Sequence, residues 1–358
     1  HVPMSLMRGY GGGHDLQTWL NDWIFPAEAK LDDRAVRAGA GLGLAEMIAS
    51  GVTCIADMYM HTGTIAQLCL DAGMSANLSC GGVYFGAAGD FTSDGCGDCK
   101  NQKELTERWH NAGHGQIRTD ASIHAEYTSC APLWKWMADY ARDNGLRMHV
   151  HVSETVSEHE ACLARHGLTP IETLDQYGVW DNGGIAAHCV YTTAEDWAVM
   201  RDKDVSCVHN PWSNLKLGSG IAPIPAMLNA GVNVALGTDG MSSHNSADLF
   251  ADMKLYADES TSTSTCLQMV AYFITGKGYE TGTSFYFTVR GADYQPYSIA
   301  IQPHAYLPAK TLTAENGQRL TLSPLGMTVV DTQYSDSEML IDELIVHYQD
   351  GADFAVDS

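Results

Sequence analysis

Residues 147–155, Arg147-Met-His-Val-His-Val-Ser-Glu-Thr155, set two imidazoles and a carboxylate in one short run. Side chains alternate along a strand, so Met148, Val150 and Val152 share one face while His149, His151 and Ser153 share the other. In a barrel the apolar row packs on covering helices and the imidazole row points inward. Glu154 then stands at the C-terminal strand end, where barrel active sites are built. A lone inward His is more often a hydrogen-bonded core residue. Two in alternation, followed by an acid, suit a metal centre or general acid–base chemistry.

Two later runs end the same way. Ala186-Ala-His-Cys189 carries His188, and Ala235-Leu-Gly-Thr-Asp-Gly240 carries Asp239. Taken singly, a structural imidazole accounts for His188 and a turn cap accounts for Asp239. Taken together they gather imidazole and carboxylate around one rim. That donor set suits a borderline divalent ion such as zinc with a position left for water.

Such groups need strands to aim them. Strand-like runs at 53–58, 75–80, 117–124, 147–153, 184–189, 205–209 and 232–237 alternate with helical patterns at 34–49, 131–143, 157–166, 194–203 and 224–230. Repeated strand and helix predict an α/β fold with a parallel sheet under helices. A (β/α)8 TIM barrel needs one strand more. The opening His1-Val-Pro-Met reads as the end of a first strand that is largely missing, as in an N-terminally truncated chain. From about residue 258 the rhythm weakens. The polar run 259–265 reads as a loop, and 271–300, aromatic and β-branched with glycine breaks, reads as hairpins. The expected organisation is a barrel over 1–320, irregular at 258–300, followed by 321–358 as the remnant of a small β-sandwich domain.

Charge narrows the partners. With 20 Lys+Arg against 43 Asp+Glu the 358-residue chain carries −23. Such a surface repels phosphate backbones and anionic lipid, so neither nucleic acid nor membrane is expected as a partner. A homo-oligomer is compatible with the sequence. Most of the ten cysteines sit alone in apolar runs, the pattern of free thiols in a reducing cytoplasm. Cys96-Gly-Asp-Cys99 lacks a second ligand pair at zinc-finger spacing and reads as a plain loop.

Longer stretches resemble the amidohydrolase superfamily, and within it the 5-methylthioadenosine/S-adenosylhomocysteine deaminases. They are Pro3-Met-Ser-Leu-Met-Arg-Gly9, the run from Trp19 to Leu31, the run from Glu46 to Met58, His149-Val-His-Val-Ser-Glu-Thr155, Ala187-His-Cys189, the run from His209 to Pro223, and Gly231-Val-Asn-Val-Ala-Leu-Gly-Thr-Asp-Gly240. The resemblance covers residues 1 to about 256. It implies a metal-dependent hydrolase barrel binding one divalent ion, zinc with iron as the alternative. By this resemblance the metal ligands are His1, the second His of the family's first-strand pair, with His151 and Asp239.

The resemblance also implies roles. Glu154, His188 and Asp239 are the catalytic residues for hydrolytic deamination of an adenine nucleoside (5-methylthioadenosine, S-adenosylhomocysteine or adenosine), releasing ammonia. Glu154 and His188 also touch the purine, with His124. Glu28 resembles a ribose-hydroxyl acceptor and Trp19 an aromatic wall. The substrate partner is thus a small purine nucleoside. Helix-terminal Glu28 and core Trp19 are the plainer alternatives. Two other readings stay open. One is a guanine, pterin or triazine deaminase or chlorohydrolase of the same superfamily; the other is a catalytically silent truncated barrel. His209 and Asn210 read as organisers of the loop after their strand. His14, His61 and His244 read as solvated loop residues.

Overall fold

The computed structural model of the chain describes residues 1–260 and, beyond them, the backbone of seven strands between Phe285 and Ala355. Two compact units result, His1–Asp252 and Met253–Ser358. The sequence set its boundary at 320, and the strand Arg319–Ser323 runs across that point.

The first unit is built on parallel strands β1 (Cys54–Met58), β2 (Ser75–Ser79), β3 (Ile117–Thr119), β4 (Ala121–Ala125), β5 (Met148–Val152), β6 (Gly184–His188), β7 (Val205–His209) and β8 (Val234–Leu236). They form two ladders, β1-β2-β3 and β4-β5-β6-β7-β8. The sequence reads 117–124 as one strand, and the structure splits it at Asp120. Asp120 N still donates to Leu78 O at 3.0 Å, whereas Ala121 N donates to Arg147 O at 2.9 Å. One run of chain therefore pairs with β2 below and β5 above. A parallel bridge between Gly82 and Ile123 closes the join.

Helices cover the strands because their apolar stripes recur at helical spacing. Ala131–Asn144 buries Leu133, Trp134, Met137, Ala138 and Ala141. Thr155, Thr169 and Thr193 cap Val156–His166, Pro170–Gln176 and Ala194–Asp202 by accepting backbone N–H groups, which satisfies otherwise orphaned donors. The Cys96–Cys99 stretch, expected as a loop, instead opens the helix Gly97–Trp109, with Cys96 at its N-cap.

No strand lies between β8 and β1 among the described residues, and Ala56 and Ala235 are exposed there. At the rim that gap is crossed by a 3-10 helix, Val2–Met7. It packs on the helix Asp33–Ala49, where a Cβ at Gly39 would stand 2.4 Å from Pro3 O. Only glycine allows that approach.

In the second unit, Phe285–Arg290 pairs antiparallel with Pro296–Ala300 and with Leu340–His347, and Asp353–Ala355 adds to the latter. Lys310–Thr313, Arg319–Ser323 and Gly326–Val330 form a second antiparallel sheet. The polar run 259–265 begins inside the helix Leu249–Ser260, and the rest of it lies outside the described residues.

Candidate active site

One cavity of about 330 Å³ opens at the C-terminal ends of the strands. All eight residues singled out from sequence line it: His1, Trp19, Glu28, His124, His151, Glu154, His188 and Asp239. His149, on the same face as His151, does not. Its Nδ1 meets Ser79 Oγ at 3.3 Å below the cavity.

The imidazoles form a chain of neighbours. Ring centroids are 4.8 Å apart for His124 and His151, 5.2 Å for His1 and His151, and 5.4 Å for His151 and His188. His1 Nδ1 faces Met58 O, and His151 Nδ1 donates to His124 O at 2.8 Å. A ring nitrogen tied to a carbonyl orients the other, Nε2, toward a cation. His1 Nε2 lies 3.4 Å from Asp239 Oδ1. That spacing suits two ligands each about 2.0–2.2 Å from one small ion. Asp239 is held in turn by Ser213 Oγ at 2.6 Å, Ser243 Oγ at 3.0 Å and Gly240 N at 2.7 Å. The donor types, two imidazoles and a carboxylate, suit a divalent cation, and His1 with Asp239 stands at the spacing of two ligands to one ion.

Titration behaviour follows from burial and neighbours. Burial and three nearby imidazoles push His151 well below its ordinary value, and burial brings His124 to about 4. Both are neutral near pH 7, the form that ligates and accepts hydrogen bonds. Burial pushes the Glu154 carboxyl up, partly offset by His188. For His188 burial acts downward, but Glu154, Asp239 and a hydrogen bond from its Nδ1 to Asn214 Oδ1 at 2.8 Å outweigh it and raise the ring. Burial also acts upward on Asp239, where the His188 charge and the Ser213 hydrogen bond win and the carboxyl titrates low.

Glu158 went unnoticed in sequence. Its carboxylate accepts Ser153 N and Glu154 N, both at 2.8 Å, and so fixes the backbone that carries Glu154. Burial pushes it up to about 7. The signal was present: Thr155-Val-Ser-Glu158 has capping-box spacing. The acid reaches past the N-cap to the two residues before it. Ser219 Oγ donates to Glu154 Oε1 at 3.1 Å, a second partner that the sequence did not reveal.

Backbone strain concentrates here. Ser153, His188 and Asp239 have φ of 47°, 72° and 56°, in the left-handed region that non-glycine residues avoid. Of the three, His188 and Asp239 line the cavity, whereas Ser153 Oγ meets His159 Nδ1 at 3.2 Å.

The helical segment Trp19–Ile24 has π geometry and continues into Phe25–Glu28, so Trp19 and Glu28 both face the cavity. Trp19 Nε1 donates to Tyr10 O at 3.2 Å. Burial raises the Glu28 carboxyl against the pull of the Tyr59 hydroxyl. His14 and His61 are exposed, as read from sequence. His244 is buried, contrary to that reading, because its Nε2 pairs with buried Asp252 at 2.7 Å. Asn210 approaches His188 Nδ1 at 3.4 Å. Among the described residues, the group of three potential ligands whose donor atoms all lie within 4.8 Å of one another is Glu126, Cys162 and His166, outside the cavity lining; the donors of His1, His151 and Asp239 are not gathered that closely. There Arg165 and His166 already engage the Glu126 carboxylate.

Over 259 residues the chain is 40% identical to a 5'-deoxyadenosine deaminase of Methanosphaera stadtmanae, which takes in 72% of this chain and 60% of that protein. It is 38% identical over 262 residues to a 5-methylthioadenosine/S-adenosylhomocysteine deaminase of Moorella thermoacetica, covering 72% and 59%. The chain spans about three fifths of the length of these curated relatives. Among solved structures, a zinc-bound adenosine deaminase from Xanthomonas campestris superposes with a TM-score of 0.66 at 32% identity, over 72% of this chain and 58% of that one. Residues 1–272 match the model of the amidohydrolase family. With strands, rim and sequence in agreement, the chain belongs to the amidohydrolase family.

Proposed function

We propose that this chain hydrolyses the exocyclic amine from the adenine ring of a nucleoside, giving an inosine-type product and ammonia. The observation that carries the proposal is the convergence of Glu154, His188 and Asp239 with His1 and His151 on one cavity. The deaminase names of the relatives support it.

His1, His151 and Asp239 would hold a divalent ion, with zinc preferred because a zinc-bound relative shares the fold. The chemistry such an ion supplies when bound is acidification of water toward neutrality. Asp239 accepts the proton of the attacking water as oxygen adds to C6. Glu154, whose carboxyl burial pushes up, gives its proton to the ring nitrogen and then relays the proton of the new C6 hydroxyl to the departing amine, and the proton taken up by Asp239 restores it. His188, raised by its two carboxylate neighbours, presents Nε2–H to the charge that develops at the new C–O bond. Glu28 would accept the ribose hydroxyls, since one carboxylate can take two hydrogen bonds. Trp19 walls the pocket and His124 meets the purine. Strands after residue 321 would belong to a small β domain. A cytoplasmic location suits the nine free thiols among the described residues. Among the described residues no helix is long and apolar enough to cross a membrane.

The test is ammonia release from a panel of adenine nucleosides, guanine, a pterin and a triazine by zinc- or iron-loaded protein. Turnover of nucleosides alone is the expected result. Ammonia from guanine, the pterin or the triazine but not from nucleosides would move the assignment to another member of the family. No ammonia from anything, with less than about one tenth of an ion bound per chain, would mark a silent barrel.

A further inference from the structure

We infer that the cavity selects nucleosides whose 5' substituent is small, apolar and uncharged, and that Phe85 at its mouth sets this preference. The inference rests on the deaminase reading and names the substrate class within it. Phe85 lines the cavity yet is 73% exposed, the highest value for any large apolar side chain among the described residues. Water on so much aromatic surface is unfavourable, and an apolar ligand group laid against the ring would relieve it.

The backbone that carries the ring is held in place. Asp98 accepts Val83 N at 2.9 Å, Tyr84 N donates to Thr128 O at 3.0 Å, and Gly82 is bridged to Ile123. The backbone leading to Phe85 is thus pinned to strand β4 with the loop after it and to the helix Gly97–Trp109, which sets the point on the rim from which the side chain projects.

Charge acts in the same direction. Apart from histidine, tyrosine and cysteine, the ionisable side chains that line the cavity are carboxylates: Glu28, Asp98, Glu154, Glu158 and Asp239. With adenine at Glu154 and ribose at Glu28, the 5' carbon extends toward the mouth. A hydrogen or methylthio group there meets Phe85. An amino-acid tail brings its carboxylate against an aromatic ring in a cavity lined by no lysine or arginine among the described residues, so that carboxylate loses water without gaining a cationic partner.

The experiment compares 5'-deoxyadenosine, 5-methylthioadenosine and S-adenosylhomocysteine with metal-loaded protein, by ammonia release and by calorimetric binding. The first two should have kcat/KM values within about tenfold of each other, and the third should fall at least about 30-fold lower, chiefly through KM. Phe85→Arg should raise kcat/KM for S-adenosylhomocysteine about tenfold or more and lower it for the methylthio substrate. Phe85→Ala should raise KM for the methylthio substrate severalfold without changing kcat. Equal handling of all three nucleosides by the unaltered protein, or an unchanged ratio in Phe85→Arg, overturns the inference. If no ammonia appears but binding keeps the same order, the deaminase reading fails and the selectivity stands. Turnover without preference fails the selectivity alone, and absence of both binding and turnover overturns the two together.

Discussion

His188 Nε2 stands 3.6 Å from Glu154 Oε2, and both groups are buried at the ends of adjacent strands whose register sets Val152 beside His188. Each holds the other's charge: the carboxylate raises the imidazole and the imidazole restrains the rise of the carboxyl. Glu154→Gln keeps the shape and removes the transferable proton. It should cut kcat about 10²–10⁴-fold with metal content unchanged, measured by ammonia release beside elemental analysis. Unimpaired turnover would remove Glu154 from the mechanism.

Asp239 faces His1 and leans on two serines. Asp239→Asn removes the charge while keeping the shape. Zinc affinity should weaken at least about tenfold, read by competition with a chromophoric chelator. An unchanged affinity would place the ion elsewhere.

Glu28 is half-buried beside the cavity. If it accepts the ribose hydroxyls, Glu28→Leu forfeits charged hydrogen bonds of about 1.5–3 kcal/mol. The KM for nucleosides should then rise roughly 10- to 100-fold with a smaller change in kcat. Full retention of nucleoside affinity would sink the ribose assignment.

Glu158 titrates near 7 in the fold against 4.5 as the ordinary value, because burial disfavours its charge. The folded state therefore binds its proton more tightly than the unfolded chain does. The stabilisation is complete below pH 4.5 and is lost as pH rises to 7, a change of about 3 kcal/mol. Glu158→Gln should flatten the dependence of Tm on pH across that window. An identical slope in the variant would show that other groups carry it.

The segment carrying His1 rests on Gly39. Gly39→Ala drives a methyl into Pro3 O and the Leu6 side chain, whereas a Cβ at Gly41, on the same helix, meets nothing within 4 Å. Gly39→Ala should cost about 1–3 kcal/mol in urea melts and weaken zinc retention. Gly41→Ala should be neutral or stabilising by up to about 1 kcal/mol. Equal behaviour of the two variants would detach the first residues from the site.

The strand ends were legible because alternation and a terminal acid are local patterns. His151 with Glu154, His188 and Asp239 could each be placed at a rim without coordinates. What supports them was harder to read. Ser213, Ser219 and Asn214 come from the chain after β7 and reach other strands' residues through space, which spacing does not record. His244 looked solvated because its partner Asp252 lies in the following helix. The helix Gly97–Trp109 was masked because Cys99 and Gln102 occupy inward positions beside Leu105 and Trp109. Asp120 hid a change of neighbours inside one apolar run.

The left-handed turns at Ser153, His188 and Asp239 bear on laboratory evolution. Each residue occupies a conformation that glycine adopts at lower cost, by up to a few kcal/mol apiece. Where relief of the turn exceeds the loss of the side chain's packing and hydrogen bonds, a screen that rewards heat resistance alone enriches glycine, and at His188 and Asp239 it would discard the side chains proposed for catalysis. Libraries built from this chain need those codons locked, and a thermal gain from glycine there would measure the tension the native rim carries.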